Sequence, residues 1–254
     1  MRDSVADYDE HGDDYRFHRQ TDPEIMAYIE TELGDAQTVL NVGAGTGSYE
    51  PTDRYVISIE PSATMRRQRP GYLCPAMIGT AASIPFDDGA FHAATAILTI
   101  HHWPNLDQCL REVRRVTAGP LIIMTFDPFA DTEFWLRDYL PEMTAVERAR
   151  YPSLDVVRES VGGNCKTIAI PVPLNCPDKF QVALYGRPEE FLNNEVRKSQ
   201  SAWTFLPDGC EHRFVSELSR DIESGLWDQK YGRFRTQPNI NCQLRLVVSS
   251  PHRA

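Results

Sequence analysis

Val39-Leu40-Asn41-Val42-Gly43-Ala44-Gly45-Thr46-Gly47 is an apolar run that ends in three alternating glycines. Such a run reads as a buried strand entering a tight turn, because glycine tolerates positive φ and leaves bare backbone against which a ligand can lie. A second apolar run, Val56-Ile57-Ser58-Ile59-Glu60, closes on a carboxylate. A carboxylate at the end of the second strand can accept hydrogen bonds from both hydroxyls of a ribose. Turn and acid together predict a nucleoside-bearing cofactor at the carboxyl edge of a parallel sheet. The dinucleotide fingerprint G-x-G-x-x-G would need glycine at position 48, where the chain has Ser48; its third glycine is Gly47, which disfavours a pyrophosphate.

Outward from this stretch, strand-like runs recur at Thr38 to Val42, Tyr55 to Ile59, weakly at Leu73 to Ile78, at Ala93 to Ile100 and at Leu121 to Phe126. Helical patterns separate them. Asp22-Pro23 is an N-cap and first-turn pair, followed by Ile25, Met26, Ile29 and Leu33 on one face. Asn105 opens another helix, whose apolar positions are Leu106, Cys109, Leu110, Val113 and Val116. Strands apolar on both faces and alternating with helices predict an α/β fold with a parallel sheet covered on two sides. In the second half only Lys166 to Leu174 and Cys242 to Ser249 read as strands. Phe214, Leu218 and Ile222 mark a helix between them that stops near Gly225. The long segment after the fifth strand, Pro128 to Ser160, carries Phe134, Trp135, Leu136, Tyr139 and Leu140, and connections of this length over a sheet usually form a lid.

The 254 residues carry 26 basic and 36 acidic side chains, a formal charge of −10, which argues against a phosphate backbone as partner and mildly favours a neutral or cationic small molecule over a phosphorylated one. The longest apolar run, Ala93 to Ile100, is far short of a bilayer span, and the acidic start (Asp3, Asp7, Asp9, Glu10) lacks a signal-peptide layout. The expectation is a cytoplasmic protein without membrane or nucleic-acid partners. Six irregularly spaced cysteines with no C-x-x-C pair indicate neither a metal site nor a disulfide framework.

The turn Gly43 to Gly47 resembles motif I of the class I S-adenosylmethionine-dependent methyltransferases. Glu60-Pro61-Ser62 with Met65 is similar to that family's ribose-binding acidic loop, and Ile84 to Phe91 resembles its L-P-F-x-D-x-x-F stretch. Ile100-His101-His102-Trp103 resembles the type 11 branch, and Tyr15-x-x-x-Arg19 with Asp22-Pro23 and Arg187-Pro188-Glu189 resembles a bacterial subgroup associated with antibiotic and other small-molecule methylation. The resemblance implies a Rossmann-like, mostly parallel, seven-stranded sheet with an antiparallel last strand, and helical lid insertions after strand five and between strands six and seven. It implies one methyltransferase domain over 1–254: an N-terminal flap (1–20), a cofactor-binding core (21–127) and lid insertions at 128–160 and 175–237. S-adenosylmethionine is the implied cofactor and S-adenosylhomocysteine its product. The implied cofactor contacts are Tyr15, Arg19, Gly43, Ala44, Gly45, Thr46, Gly47, Glu60, Pro61, Ser62, Met65, Ala81, Ala82, Leu98 and Thr99. Two positions depart from the family. Thr80-Ala81-Ala82 stands where an acid usually receives the adenine amino group, leaving backbone or Thr80 to serve, and His92 stands where Asp is usual.

Methyl transfer is an in-line displacement for which a neutral amine needs no base, whereas a hydroxyl usually does. His101 and His102, at the cleft edge after the fourth expected strand, are the candidate catalytic residues, since a histidine of ordinary pKa accepts a proton at neutral pH. The alternative is that one packs under the lid and the other lines the cofactor. Trp103 is read as packing, with a cationic acceptor as the other use for its ring. Tyr15 and Arg19 would reach the cofactor carboxylate if the N-terminal segment folds over the site; the alternative is a solvated helix start. Phe134, Trp135 and Tyr139 are read as lid packing. Asp127-Pro128-Phe129, although similar to the D-P-P-Y string of amino-group methyltransferases, follows the fifth strand rather than the fourth and is read as coincidence. The leading expectation is an O- or N-methyltransferase of a small molecule. A non-catalytic cofactor-binding partner protein and a dinucleotide-dependent oxidoreductase are the alternatives; oligomeric state and acceptor stay open.

Overall fold

A computed structural model of the protein describes residues 15–130 and 132–251, so the first 14 residues of the expected flap lie outside the described residues. The glycine stretch does begin in a strand. β1 (Thr38–Val42) lies beside β2 (Tyr55–Ile59) and β3 (Ala93–Ile97), both parallel to it, and β3 is followed by parallel β4 (Leu121–Phe126). β5 (Asn164–Ala169) and β8 (Leu244–Ser250) complete the order β2-β1-β3-β4-β8-β5, with β8 antiparallel to both neighbours. A separate ribbon pairs β6 (Val172–Pro173) with β7 (Asn239–Ile240).

Alternation along the strands sends apolar side chains to both faces. Val39, Ile122, Met124 and Leu246 join Ile25, Ile29 and Leu33 of α2 (Pro23–Leu33), which follows the short α1 (Tyr15–His18), while Leu40, Ile123 and Val247 join Cys109, Leu110 and Val113 of α4 (Leu106–Arg115). Both helices start as their sequences indicate. The Asp22 carboxylate accepts the N–H groups of Glu24 and Ile25, and the Asn105 side-chain oxygen accepts that of Gln108.

Four expectations change. The sheet has six strands among the described residues instead of seven, because the segment 73–78 makes only an isolated parallel bridge between Met77 and Ile59; Pro75 interrupts it and supplies no donor. The strand expected through Ile100 stops at Ile97, where Leu98 takes φ 51° and Ile100–His102 form a 3-10 turn. The run from Lys166 to Leu174 is split between two sheets around Pro171, and the last strand begins at Leu244 rather than Cys242. The insertion 128–160 also divides. Its helices Leu136–Tyr139 and Pro141–Arg150 lie with the lid, but Val157 and Val161 of the helix Leu154–Val161 pack beside α4 on the opposite face of the sheet.

The lid between β6 and β7 is built on rings. Trp135 touches Phe134, Tyr139, Phe191 and Trp227 at centroid distances of 5.4–5.8 Å and donates its indole N–H to the Tyr185 carbonyl at 2.7 Å. The packing role expected for Phe134, Trp135 and Tyr139 is therefore what they perform, with Phe134 also lining a small surface cavity. No helix of the described residues is long and apolar enough to cross a membrane, and no cluster of metal-ligating side chains occurs among them.

Candidate active site

At the carboxyl ends of β1, β2 and β3, where the strand order reverses, the loops part around a cavity of about 410 Å³. The floor is the glycine turn. Gly43 (φ 67°) cannot carry a side chain, since a Cβ there would lie 2.1 Å from the Thr99 hydroxyl; Gly45 (φ 51°) has nothing within 4 Å of the same position and presents bare backbone to the cavity. Gly47 is not a wall. Its Cβ position meets Leu73 and Arg69 instead, so this glycine serves packing behind the turn.

Glu60 closes the opposite side. One carboxylate oxygen accepts the Gly45 N–H and the other the Ser62 N–H, both at 2.8 Å, and the Ser62 hydroxyl in turn caps α3 (Ala63–Arg67) by accepting from Met65. Burial pushes the Glu60 carboxyl above its usual range, and those two backbone N–H groups pull it back. Each oxygen keeps a further acceptor site. Behind the turn, buried Glu50 accepts from Asn41 (2.8 Å), Ser58 (2.6 Å) and Arg69 (2.7 Å), tying β1, β2 and the turn into one rigid unit. Nothing in the glycine pattern by itself signals this network.

Of the expected cofactor contacts, Tyr15, Arg19, Gly43, Ala44, Gly45, Thr46, Glu60, Pro61, Ser62, Met65, Ala81, Ala82, Leu98 and Thr99 all line the cavity, and Gly47 does not. Thr80 stands beside Ala81 and Ala82, so this wall offers backbone groups and a hydroxyl where an acid is usual. His92, the other departure, sits away from the cavity, its ring nitrogen 3.2 Å from the Thr38 hydroxyl. Arg19 is brought to the site by bonds across the flap: its carbonyl accepts from Ser48 at 2.7 Å, and Tyr49 N–H reaches Thr21 at 2.8 Å. The guanidinium is paired with buried Asp178 and donates to the Tyr15 hydroxyl at 2.9 Å. Asp178 also accepts from Tyr49 and lines the same cavity. It comes from the far insertion, and no motif announces it.

The two histidines part company. His102 and Trp103 line the large cavity; His101 faces a smaller one, of about 40 Å³, that shares Tyr15, Arg19 and Leu98 with the first. His101 lies between His102 (3.9 Å between ring centres) and Tyr151 (4.1 Å, stacked). Burial first and the Arg150 charge second hold His102 down at about 3; burial likewise holds His101 well below the usual histidine range. The premise of a histidine titrating near its ordinary value is therefore corrected: both rings are neutral at physiological pH, and as proton acceptors both are weak.

These residues fit S-adenosylmethionine. Glu60 has acceptor capacity for the ribose hydroxyls, the open face at Gly45 admits an extended chain against backbone, and the volume falls within the range of small-molecule sites.

Comparison with known proteins agrees with the geometry. A family model for a methyltransferase domain, type 11, matches residues 40–120. A structure from Anabaena variabilis, described as a methyltransferase from an antibiotic biosynthesis pathway, superposes with a TM-score of 0.84 at 26% identity over 92% of this chain and 99% of that one. An S-adenosylmethionine-dependent methyltransferase from Thermotoga maritima gives 0.58 at 15% identity over 96% and 97% of the two chains. Geranyl diphosphate C-methyltransferase from Streptomyces coelicolor, solved with S-adenosylhomocysteine, gives 0.50 at 14% identity over 89% and 74%. No curated protein matches the chain by sequence. With the motif set, the sheet order and the domain match in agreement, residues 40–120 carry a methyltransferase domain of type 11 on the fold shared with S-adenosylmethionine-dependent methyltransferases, and S-adenosylmethionine is the cofactor that the site fits.

Proposed function

We propose that this protein transfers a methyl group to an oxygen or nitrogen atom of a small molecule, in the manner of secondary metabolism. The observation that carries the reading is the pairing of Glu60 with the N–H groups of Gly45 and Ser62 in the wall of a cavity that Tyr15, Arg19 and Asp178 also line. When bound, the cofactor supplies an electrophilic methyl on a sulfonium. The chain supplies position and dryness. Glu60 would hold the ribose, the glycine turn would hold the amino-acid end, and the Tyr15 and Arg19 pair would close over it from the flap. Alignment of this kind is worth on the order of 7–11 kcal/mol.

Acid-base help from the histidines is small on this reading. With a neutral ring and a value near 3, His102 serves as a hydrogen-bonding wall of the cleft rather than as a strong base, which favours acceptors that are nucleophilic at neutral pH, such as amines. The Anabaena neighbour, described as coming from an antibiotic biosynthesis pathway, supports the small-molecule assignment. Treating an extract of the host with isotopically labelled methyl donor and the purified protein, followed by mass spectrometry, tests the proposal. A labelled small metabolite that appears only with active protein is expected; label in protein or nucleic acid alone would overturn it.

A further inference from the structure

Next to the donor cavity, an arginine lies under the lid with no carboxylate in ion-pair contact among the described residues. Arg150 is 8% exposed and lines the small cavity. One terminal nitrogen donates to the Ser201 hydroxyl at 2.9 Å, and the guanidinium carbon sits 4.5 Å from the centre of the Phe205 ring. Its Nε and other terminal nitrogen meet no acceptor among the described residues, and no carboxylate comes within ion-pair distance there. Arg19 and Arg197, comparably buried, each have a carboxylate. A buried guanidinium with idle donors is costly unless something pairs with it.

We propose that this cavity receives a carboxylate of the methyl acceptor, held by Arg150. The inference rests on the reading above that a small molecule is methylated beside the donor cavity. About 40 Å³ exceeds the ~10–15 Å³ that one water needs, so the cavity has room for a compact polar group beside Arg150. A planar carboxylate matches the two-donor edge of a guanidinium. The shared wall at Leu98, Tyr15 and Arg19 then leads the body of the acceptor from its anchored end toward the donor cavity. Glu147, the acid lining the cavity, is pushed up to about 7 by burial, which outweighs the downward pull of the Arg150 charge, so it opposes an incoming anion less than an ordinary glutamate would. Local charge thus runs against the chain's overall −10.

The test is calorimetric titration of the protein loaded with S-adenosylhomocysteine, using three matched probe pairs: acetate and acetamide, benzoate and benzamide, phenylacetate and phenylacetamide. At least one acid is expected to bind ten-fold or more tightly than its amide. Arg150→Gln should reduce that acid to the level of the amide and Arg150→Lys should retain part of the preference, with S-adenosylhomocysteine affinity unchanged within two-fold in both. Acids that bind no better than their amides in every pair, or an acid preference that survives Arg150→Gln, would overturn the proposal. The comparison of acid with amide on the unaltered protein decides the matter even where a variant does not fold. Failure of the unaltered protein to bind S-adenosylhomocysteine would instead remove the donor site, and is read separately.

Discussion

The large cavity and the small cavity beside it are made differently. Around the large cavity, the floor at residues 43–46 and the wall at residues 80–82 are backbone, glycines, alanines and short hydroxyls, braced from behind by the Glu50 network, with Glu60, Arg19 and Asp178 set among them. Around the small cavity they are long or ionisable: Arg150, Glu147, His101, Tyr151, Gln181 and Gln200. Backbone walls recognise a ligand common to many enzymes, because they depend on chain geometry more than on residue identity. Side-chain walls can be exchanged one residue at a time, and that is where specificity among related enzymes would be set.

That division can be broken experimentally. The largest effect belongs to the lid core: Trp135→Ala should lower unfolding free energy by about 3–5 kcal/mol in urea titration, since it removes a ring in contact with four others, while the donor Kd of the folded protein changes by less than three-fold. A large change in donor affinity would show that lid and donor site are one unit. Glu60→Gln should cost about 1.5–3 kcal/mol of donor binding, ten-fold or more by calorimetry, because a charged acceptor to both ribose hydroxyls is lost. Unchanged affinity would remove the basis of the donor assignment. Gly43→Ala forces both positive φ and a clash with Thr99, for an expected loss of about 1–3 kcal/mol in stability; Thr99→Ala in the same chain should return part of it.

The smallest effect is on pH dependence. Glu147 has a folded value of about 7 against an ordinary value of 4.5, so the folded state holds its proton more tightly. The associated stability is complete below about 4.5 and declines as pH rises toward about 7. Glu147→Gln should flatten that decline, by on the order of 1–2 kcal/mol between pH 5 and pH 8 in denaturant titrations. An unchanged slope would mean that Glu147 is solvated like a surface acid.

The floor of the large cavity was legible in sequence for the same reason that it is made of backbone. Local patterns such as Val39 to Gly47, Val56 to Glu60 and Asp22-Pro23 carry their own geometry, and each lies where its pattern indicates. What escaped depends on distant partners. Asp178 reaches Arg19 from 159 positions away, and Arg150 meets Ser201 across 51. No local periodicity encodes such meetings. Nor does it show that Leu154–Val161 turns to the far face of the sheet, since Val157 and Val161 would suit either face equally well. The histidine pair was visible, but its neutrality was not, because the Arg150 charge and the burial that depress it come from the lid.

One feature of the sheet bears on how the chain assembles. β8 lies between β4 and β5, so among the described residues β5 has no neighbour in the sheet until residues 244–250 have left the ribosome. Synthesis therefore delivers the donor-side strands early and leaves β5 waiting unpaired, with its side of the sheet shut only once residues 244–250 arrive. Nascent chains stalled before Leu244 should already resist proteases around the glycine turn while remaining open to cutting near β5.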